Sequence, residues 1–369
     1  MKVLLVFGTR PEAIKLAPLA KAMQQVDFID VEICITAQHR EMLDQVLDFF
    51  ELQADYDLDL MTPGQSLFGL TSKAIQSMEG VLDSSKPEVV VVQGDTTTAF
   101  VGALAAYYKQ IKVAHVEAGL RTGNMYSPFP EEGNRALVSK LAHYHFAPTE
   151  KAVNNLKAEG ISEEAIFQVG NTVVDALFLA LKNLTNSTDS KVEKFNFLDF
   201  SKRIVLITGH RRESFGKPFQ NIFEAIKELA EKYSDAQFVY PVHLNPNVRD
   251  KVSLVLGNTA NVHLIEPLAY PELVWMMDKS YLVLTDSGGI QEEAPSLGKP
   301  VLVMRDVTER PEGIEAGVSK LVTTDKSLIV NTVTELFEDE TTYQRMATAV
   351  NPYGDGTTCL QIVDVLRKN

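Results

Sequence analysis

Short apolar runs alternate along the chain with longer stretches in which apolar residues recur every three or four positions. The short runs predict buried strands, and the longer period predicts amphipathic helices. In the first half, strands are predicted at 2–8, 31–36, 56–60, 88–93, 112–117, 144–147 and 165–169. Helices are predicted at 11–25, 39–50, 65–83, 96–109, 131–142, 149–159 and 172–183. Strands that alternate with helices predict a parallel sheet covered on both faces.

A polar segment at 184–200 interrupts this alternation, and the pattern then restarts. Further strands are predicted at 203–208, 237–241, 262–265, 281–285 and 300–304, and helices at 216–233, 246–256, 271–278 and 289–297. We therefore predict an α/β protein with two doubly wound, Rossmann-like domains, at residues 1–170 and 171–356. Ligands of such sheets bind at the carboxyl ends of the strands, so we expect the two domains to face each other across a ligand-binding cleft.

Composition narrows the class of protein. A length of 369 residues suits two domains, and 45% apolar with 23% charged residues is typical of a soluble globular protein. No apolar run approaches the roughly 18 residues that a membrane-spanning helix needs, and the amino terminus predicts a strand rather than a signal peptide. Cys34 and Cys359 are too few and too far apart for a disulfide framework, which favours the cytoplasm.

The formal net charge is −14, from 35 basic and 49 acidic residues. An acidic chain of this kind is not expected to bind nucleic acid or an anionic membrane. Local groups of basic residues are therefore informative, because a phosphorylated ligand would have to be held by a few well-placed cations.

The first such group follows the first predicted strand, in the segment Gly8-Thr9-Arg10-Pro11-Glu12. Gly8 allows a tight turn, and Pro11 suits the first turn of a helix. The amino end of that helix offers N–H groups and a partial positive charge, to which Arg10 and Lys15 add full charges. The segment predicts an anion-binding site.

Carboxylates follow two other strands of the first half. Asp95 lies just past the strand at 88–93, where the simplest interpretation is an N-cap of the next helix. Glu117 occupies the equivalent position on the neighbouring strand. Two adjacent carboxylates raise the pKa of one of them, an arrangement used for proton transfer. Glu131 and Glu132 stand in the first turn of a helix, where acids are favoured by the helix dipole; a third catalytic carboxylate is the alternative.

The second half contains its own anion-site candidates. His210, Arg211 and Arg212 follow the strand at 203–208, and His210 could carry charge or transfer a proton near neutral pH.

A second candidate lies after the strand at 281–285. Ser287, Gly288 and Gly289 open a helix and offer N–H groups to a phosphate. Glu293, one turn later, could accept a hydrogen bond from a ribose hydroxyl. Arg310 is a further candidate for phosphate.

Other patterns point away from metals and common cofactors. His143 and His145 alternate on one strand, but no further ligand stands nearby, so no metal site is predicted. His243, at a strand end, is equally compatible with a ligand contact and an interdomain contact. Neither a Gly-x-Gly-x-x-Gly fingerprint nor a P-loop occurs, so dinucleotide and P-loop sites are not predicted.

Taken together, these motifs resemble the non-hydrolysing UDP-N-acetylglucosamine 2-epimerases. The matching segments are FGTRPEAIK at 7–15, TAQHR at 36–40, GDTTT at 94–98, HVEAGLRT at 115–122, PEE at 130–132, GNT at 170–172, GHRRE at 209–213, DSGGIQEE at 286–293 and TERPE at 308–312. They follow one another in order along nearly the whole chain. The resemblance implies the two-domain GT-B fold with UDP in the cleft, and a last helix at 357–369 that packs back on the first domain.

The resemblance also implies an activity. Family members interconvert UDP-N-acetylglucosamine and UDP-N-acetylmannosamine by eliminating UDP to 2-acetamidoglucal and adding it back, without a cofactor. We expect this chain to do the same as a cytoplasmic homodimer, supplying N-acetylmannosamine units for a surface polysaccharide. The expected proton-transfer residues are Asp95, Glu117 and Glu131. The residues expected to stabilise the departing pyrophosphate or hold UDP are Arg10, Lys15, His210, Arg211, Ser287, Gly288, Gly289, Glu293 and Arg310.

One departure from the family pattern concerns regulation. Some members bind a second UDP-N-acetylglucosamine as an activator, and Gln38 and His39 match that site. Glu41 and Gly64 stand where those members are expected to carry Gln and Arg, which argues against an activator here.

Four alternatives to this activity remain. A GT-B glycosyltransferase would need an acceptor groove with basic or apolar helices, and no such patch is evident. A catalytically dead nucleotide-sugar sensor would not need three carboxylates. A hydrolysing relative, and an epimerase of a related UDP-N-acetyl sugar, stay open.

Overall fold

The computed structural model describes residues 1–37, 40–61, 64–186, 194–209, 217–242 and 246–368. The chain divides into two compact units. Unit 1 comprises Met1–Leu179 with Tyr353–Asn369, and unit 2 comprises Ala180–Pro352. Among the described residues, none of the helices combines the length and apolar content needed to cross a bilayer.

Unit 1 contains a seven-stranded parallel sheet in the order β3-β2-β1-β4-β5-β6-β7. Its strands are β1 Lys2–Phe7, β2 Asp30–Ile35, β3 Tyr56–Asp57, β4 Val89–Gln93, β5 Lys112–Val116, β6 Tyr144–Ala147 and β7 Ile166–Gln168. Its helices are α1 Arg10–Gln24, α2 Arg40–Phe49, α3 Leu67–Ser85, α4 Thr97–Tyr108, α5 Glu131–Leu141, α6 Glu150–Ala158 and the start of α7 Thr172–Asn186. The central strands are apolar and buried because helices cover both faces.

The order of this sheet positions the site. Because β1, β4 and β5 are parallel neighbours, their carboxyl ends lie side by side at one edge of the sheet. The segments that begin at Gly8, Gly94 and Glu117 all leave the sheet there. Chain reversals after parallel strands place chemically active side chains at this edge.

Unit 2 contains a six-stranded parallel sheet in the order β10-β9-β8-β11-β12-β13. Its strands are β8 Arg203–Thr208, β9 Ala236–Pro241, β10 Val262–Ile265, β11 Leu282–Thr285, β12 Val301–Val303 and β13 Ser319–Leu321. Its helices are α8 Lys217–Lys232, α9 Pro246–Leu256, α10 Tyr270–Lys279, α11 Gly288–Glu293, α12 Pro311–Glu315, α13 Lys326–Glu338 and α14 Glu340–Ala347.

The predicted strands and helices are present, with bounds that differ by a few residues. The helix predicted at 289–297 is α-helical only to Glu293 and continues as a 3₁₀ turn at Ala294–Leu297. Pro295 lacks the N–H that would continue the α-helical ladder. The structure also contains β13 and the helices α12, α13 and α14, which lie beyond residue 304 and were not predicted.

The last helix, α15 Thr358–Lys368, belongs to unit 1 and packs against α1. Its first turn is held by α7, because Oδ1 of Asp175 accepts a hydrogen bond of 2.8 Å from the backbone N–H of Cys359. Phe178 lies so close to Gly356 that a Cβ there would stand 2.5 Å from the ring. The first half of α7 therefore stays with unit 1, and the chain divides within this helix rather than at the predicted position 170.

Candidate active site

Gly8 lies at the end of β1 in a position that only glycine fits. A Cβ on Gly8 would stand 1.9 Å from Oγ1 of Thr36 and 2.7 Å from Oγ1 of Thr98. These two hydroxyls are hydrogen-bonded to each other at 2.8 Å. The turn that opens α1 is therefore packed directly on a buried pair of threonine hydroxyls.

The turn itself is closed by an internal carboxylate. Glu12 is only 1% exposed, and its Oε2 accepts hydrogen bonds from the backbone N–H groups of Gly8 (3.1 Å) and Thr9 (2.8 Å). Its Oε1 accepts from Oγ1 of Thr96 at 2.6 Å. Burial raises the pKa of Glu12. The expectation that these N–H groups await a ligand is therefore corrected for Gly8 and Thr9, whereas Arg10 begins the helix beside them.

Glu117 follows β5 and is held by three side chains. Its backbone has φ +62°, a left-handed conformation that is costly for a residue with a Cβ. Its Oε2 lies 2.5 Å from Nζ of Lys15 and also accepts from the amide of Gln93, while Oε1 accepts from Nδ2 of Asn171 at 3.2 Å. Lys15, assigned from sequence to a phosphate, thus contacts the carboxylate.

Asp95 is also held by a cation, but on one oxygen only. Nε and Nη2 of Arg135 both donate to its Oδ2, the first at 3.1 Å. Oδ1 has no hydrogen-bond partner among the described residues. The N-cap of α4 is Thr96, whose Oγ1 accepts from the N–H of Ala99, so the interpretation of Asp95 as the cap is wrong.

The sequence predicts repulsion between Asp95 and Glu117. In the structure each carboxylate has its own cation, Arg135 for the first and Lys15 for the second. The predicted repulsion rests on the two acids alone, because their cationic partners lie on α1 and α5, far away in the sequence. The two carboxylates at neighbouring strand ends are therefore each compensated by an opposite charge.

The first turn of α5 separates its two acids into different roles. Glu132 is buried and accepts hydrogen bonds from the N–H groups of Thr122 and Gly123, both at 3.0 Å, and from Nη1 of Arg135 at 3.1 Å. Glu131 is half-buried and has neither a hydrogen bond nor an ion pair with any described residue. The helix-start interpretation suits Glu132, and Glu131 is the carboxylate left available for a ligand.

His115 is a site residue that sequence reasoning missed. It lies fully buried on β5, and its Nε2 is 2.7 Å from the carbonyl oxygen of Gly94. Burial lowers its pKa to about 4, so the ring is neutral near pH 7 and Nε2 donates to that carbonyl. A polar residue in an otherwise apolar strand was the available signal. Sequence reasoning also missed Gln93, Asn171 and Arg135, because their hydrogen-bond partners are distant in sequence.

In unit 2, the segment predicted to bind a phosphate forms the start of α11. Ser287 is the N-cap, and its N–H donates to Oγ1 of Thr285 at 3.0 Å. A Cβ on Gly288 would meet no heavy atom within 4 Å among the described residues, so the backbone is open there. A Cβ on Gly289 would stand 3.8 Å from Oε2 of Glu293, which places that carboxylate directly behind the loop.

The other unit 2 candidates have protein partners. Glu293 is buried and accepts a hydrogen bond from the hydroxyl of Tyr270 at 3.0 Å. Arg310 forms an ion pair with buried Glu292. The remaining predicted residues lie outside the described part of the chain; they are His210, Arg211, Arg212, Gln38, His39 and His243.

Comparison with known proteins places this architecture. A family model described as UDP-N-acetylglucosamine 2-epimerase matches residues 21–367. The UDP-N-acetylglucosamine 2-epimerase of Escherichia coli K12 is 54% identical over 100% of this chain and 99% of its own. The crystal structure of the UDP-GlcNAc 2-epimerase from Neisseria meningitidis, bound to UDP-GlcNAc, is 52% identical with a TM-score of 0.91 and covers 100% of both chains. The enzyme of Methanocaldococcus jannaschii, in complex with UDP-GlcNAc and UDP, is 37% identical with a TM-score of 0.81, again over 100% of both chains.

Two doubly wound parallel sheets that match these structures along their whole length define a protein of the GT-B fold. The chain belongs to the UDP-N-acetylglucosamine 2-epimerase family, which is a family of isomerases. The predicted fold class and family are confirmed.

Proposed function

We propose that this protein interconverts UDP-N-acetylglucosamine and UDP-N-acetylmannosamine without hydrolysing them. The observation that carries the proposal is the pair of strand-end carboxylates, Asp95 and Glu117, each in contact with a different cation, in a chain of this family. Inversion at C2 requires a proton acceptor on one face of the sugar and a proton donor on the other, which is the chemistry that two such carboxylates provide.

The reaction runs through elimination and re-addition. A carboxylate removes the proton from C2, and the electron pair of that C–H bond forms the C1–C2 double bond of 2-acetamidoglucal. The C1–O bond breaks at the same time, and its electron pair leaves with the β-phosphate oxygen of UDP. In the return step a proton is delivered to C2 on the opposite face, and the same UDP oxygen attacks C1.

We assign the two faces of C2 to Asp95 and Glu117, with Glu131 in support. Oδ1 of Asp95 and the whole carboxylate of Glu131 are available to a ligand among the described residues. Glu117 contacts Lys15, Gln93 and Asn171, and it can accept a proton when a substrate displaces one of these donors. We assign Arg10, the first residue of α1, and His210, from the family resemblance, to stabilise the departing pyrophosphate.

We assign UDP to the start of α11 in unit 2. Ser287 is the N-cap of the helix, and the backbone at Gly288 and Gly289 offers N–H groups and an open approach, as phosphate loops do. Glu293 lies behind this loop, and a carboxylate in that position suits a ribose hydroxyl. Arg310, and Arg211 by family resemblance, would add positive charge.

The decisive experiment is incubation with UDP-N-acetylglucosamine in deuterated water, followed by proton NMR. The proposal expects a second UDP-sugar and deuterium at C2 of both isomers, because the proton removed exchanges with solvent. Free N-acetylmannosamine would instead indicate a hydrolysing enzyme. No change with this sugar, but exchange with a related UDP-N-acetyl sugar, would move the assignment to that substrate.

We further propose that the enzyme acts as a homodimer in the cytoplasm and supplies N-acetylmannosamine units for a surface polysaccharide. Exposed apolar side chains on adjacent helices support self-association; Tyr107 and Tyr108 end α4, and Leu137 lies on α5, which packs against it. Light scattering after size exclusion should give twice the 40.9 kDa chain mass. A monomer mass at micromolar concentration would contradict the dimer without affecting the proposed reaction.

A further inference from the structure

A cluster of three charged side chains, Asp95, Arg135 and Glu132, links Asp95 to the loop that precedes α5. Arg135 contacts Asp95 through Nε and Nη2 and contacts Glu132 through Nη1. Glu132 in turn accepts the backbone N–H groups of Thr122 and Gly123. The exposed fraction of the side chain is 26% for Asp95, 6% for Arg135 and 3% for Glu132. Asp95 is therefore the member of this cluster that is most exposed to solvent.

The contacts on Asp95 are one-sided. Both donors of Arg135 fall on Oδ2, and Oδ1 has no partner in the described part of the chain. The adjoining backbone is also held, because Nδ2 of Asn134 donates to the carbonyl of Asp95 at 2.9 Å and His115 donates to the carbonyl of Gly94. Asp95 is thus held at Oδ2 and at its carbonyl oxygen, the preceding Gly94 is held at its carbonyl oxygen, and Oδ1 is the atom left to act.

The three-charge cluster contains two carboxylates, Asp95 and Glu132, and one cation, Arg135. Arginine stays protonated at any working pH, so one buried positive charge is shared between two carboxylates. A guanidinium that holds one oxygen of a carboxylate favours its ionised form. Glu132 draws on the same guanidinium and therefore weakens the effect of Arg135 on Asp95.

From these contacts we propose that Arg135 is a positioning residue for the reaction: it holds Asp95 through Oδ2 and presents Oδ1 as the atom that exchanges a proton with C2. Glu132 sets the strength of this hold and ties it to the backbone at 122–123. The inference rests on the proposed epimerase function, which names Asp95 but assigns no part to Arg135.

Among the other charged or titratable groups beside Asp95, His115 also responds to Arg135, because the positive charges of Arg135 and Arg121 both help to lower its pKa. A control variant at Arg121 therefore tests the contribution of His115. His115 and Glu117 lie at the end of β5, and His115 is neutral above about pH 4. Lys15 pairs with Glu117, and Glu12 contacts Thr96 next to Asp95. Glu131 lies on α5 beside Glu132. A shift in the pH dependence of the reaction that appears only when Arg135 or Glu132 is changed therefore reports on the three-charge cluster.

The first test is the pH dependence of deuterium exchange at C2. Arg135→Gln should lower kcat by about 100-fold and move the acidic limb of the profile up by about one pH unit, because Asp95 loses the cation that favours its charged form. Glu132→Gln should move the limb down, because Arg135 is then shared with no other acid. Opposite shifts of the limb are not expected from a structural defect.

The matched control is Arg121→Gln. Arg121 is a partly buried arginine of unit 1 that also holds a carboxylate through two nitrogens, at 2.6 and 2.8 Å from Glu159. Its loss should lower stability to a similar degree and leave the acidic limb in place. An equal limb shift in Arg121→Gln, or no shift in folded Arg135→Gln, would overturn the proposal.

Two further measurements keep the inference testable if Arg135→Gln fails to fold or the wild type fails to turn over. Arg135→Lys keeps the charge but offers fewer donors, so it should retain the limb and lose about 10-fold in kcat. Selective ¹³Cγ labelling of aspartate reports the pKa of Asp95 without turnover, the signal being the one missing in Asp95→Asn. The titration of this signal should lie at least one unit higher in Arg135→Gln than in wild type and should stay in place in Arg135→Lys; an unchanged value in Arg135→Gln contradicts the inference even if the epimerase activity is confirmed.

Discussion

The ammonium group of Lys15 lies 2.5 Å from Oε2 of Glu117. Lys15 stands on the second turn of α1, and Glu117 follows β5 in a left-handed backbone conformation. The contact joins the helix that opens after β1 to a carboxylate two strands away in the sheet. Because both side chains are largely shielded from water, the pair is an electrostatic unit whose two charges depend on each other.

Lys15→Gln should lower kcat about 100-fold or more and weaken UDP binding by less than about threefold, because the main loss is the cation that keeps Glu117 charged. Calorimetric titration with UDP and the rate of C2 exchange separate the two effects. A tenfold loss of UDP affinity with nearly normal kcat would instead place Lys15 on the pyrophosphate.

Glu117→Gln should abolish C2 exchange, by at least about 1,000-fold, and leave UDP affinity within about twofold, because the amide cannot accept the proton. Exchange in deuterated water and calorimetry with UDP measure these quantities. Glu88→Gln, at an exposed residue, provides the control for removing an acid elsewhere. Loss of UDP affinity in Glu117→Gln would show that this carboxylate serves binding or folding instead.

Gly8→Ala should lower the free energy of unfolding by about 2–3 kcal/mol, because the new methyl group would overlap the hydroxyls of Thr36 and Thr98. The matched control is Gly80→Ala on α3, where a Cβ meets nothing within 4 Å among the described atoms. That variant should gain up to about 1 kcal/mol from helix propensity. Urea denaturation measures both, and equal effects in the two variants would contradict the packing argument.

Asp175→Ala should lower the free energy of unfolding by about 1–2 kcal/mol, because the first turn of α15 loses the carboxylate that accepts the N–H of Cys359. Asp175→Asn keeps an acceptor oxygen and should lie within about 0.5 kcal/mol of wild type. Hydrogen exchange of the amides in α15 gives the local readout. Unchanged protection of α15 in Asp175→Ala would show that packing on α1 alone holds the helix.

Acid should destabilise the protein through two buried histidines. His115 and His145 are paired across β5 and β6, and burial lowers the pKa of each to about 4 from an ordinary 6.5. Between these pH values the unfolded chain binds protons that the folded chain does not, so stability falls as the pH falls from about 6.5 to about 4. Each histidine contributes up to ~3 kcal/mol to this loss.

Urea denaturation at several pH values measures the slope. His145→Gln should show a shallower decline over the same window, since one of the two titrations is removed. The same slope in wild type and His145→Gln would contradict the assignment for this residue.

Much of the fold followed from periodicity, because strands that alternate with helices have few stable arrangements. The carboxylates were predictable in position, since Asp95 and Glu117 directly follow apolar runs. Their partners were not. Arg135 and Asn171 are ordinary polar residues in the sequence, and nothing local distinguishes them from exposed ones.

The N-cap error has the same origin. Asp95 and Thr96 are both good N-cap residues, and the choice between them depends on where the helix begins. Arg135 draws the side chain of Asp95 away from the helix, and Thr96 caps α4 instead.

Local periodicity and short motifs are properties of neighbouring residues. They were therefore sufficient to predict the two α/β units, the strand ends at which the acids stand and the family. Only the tertiary structure decided which cation holds which carboxylate and which oxygen is left open, because those contacts join residues that the sheet order, and not the chain, brings together. It also decided that Glu12 rather than a ligand occupies the N–H groups of Gly8 and Thr9.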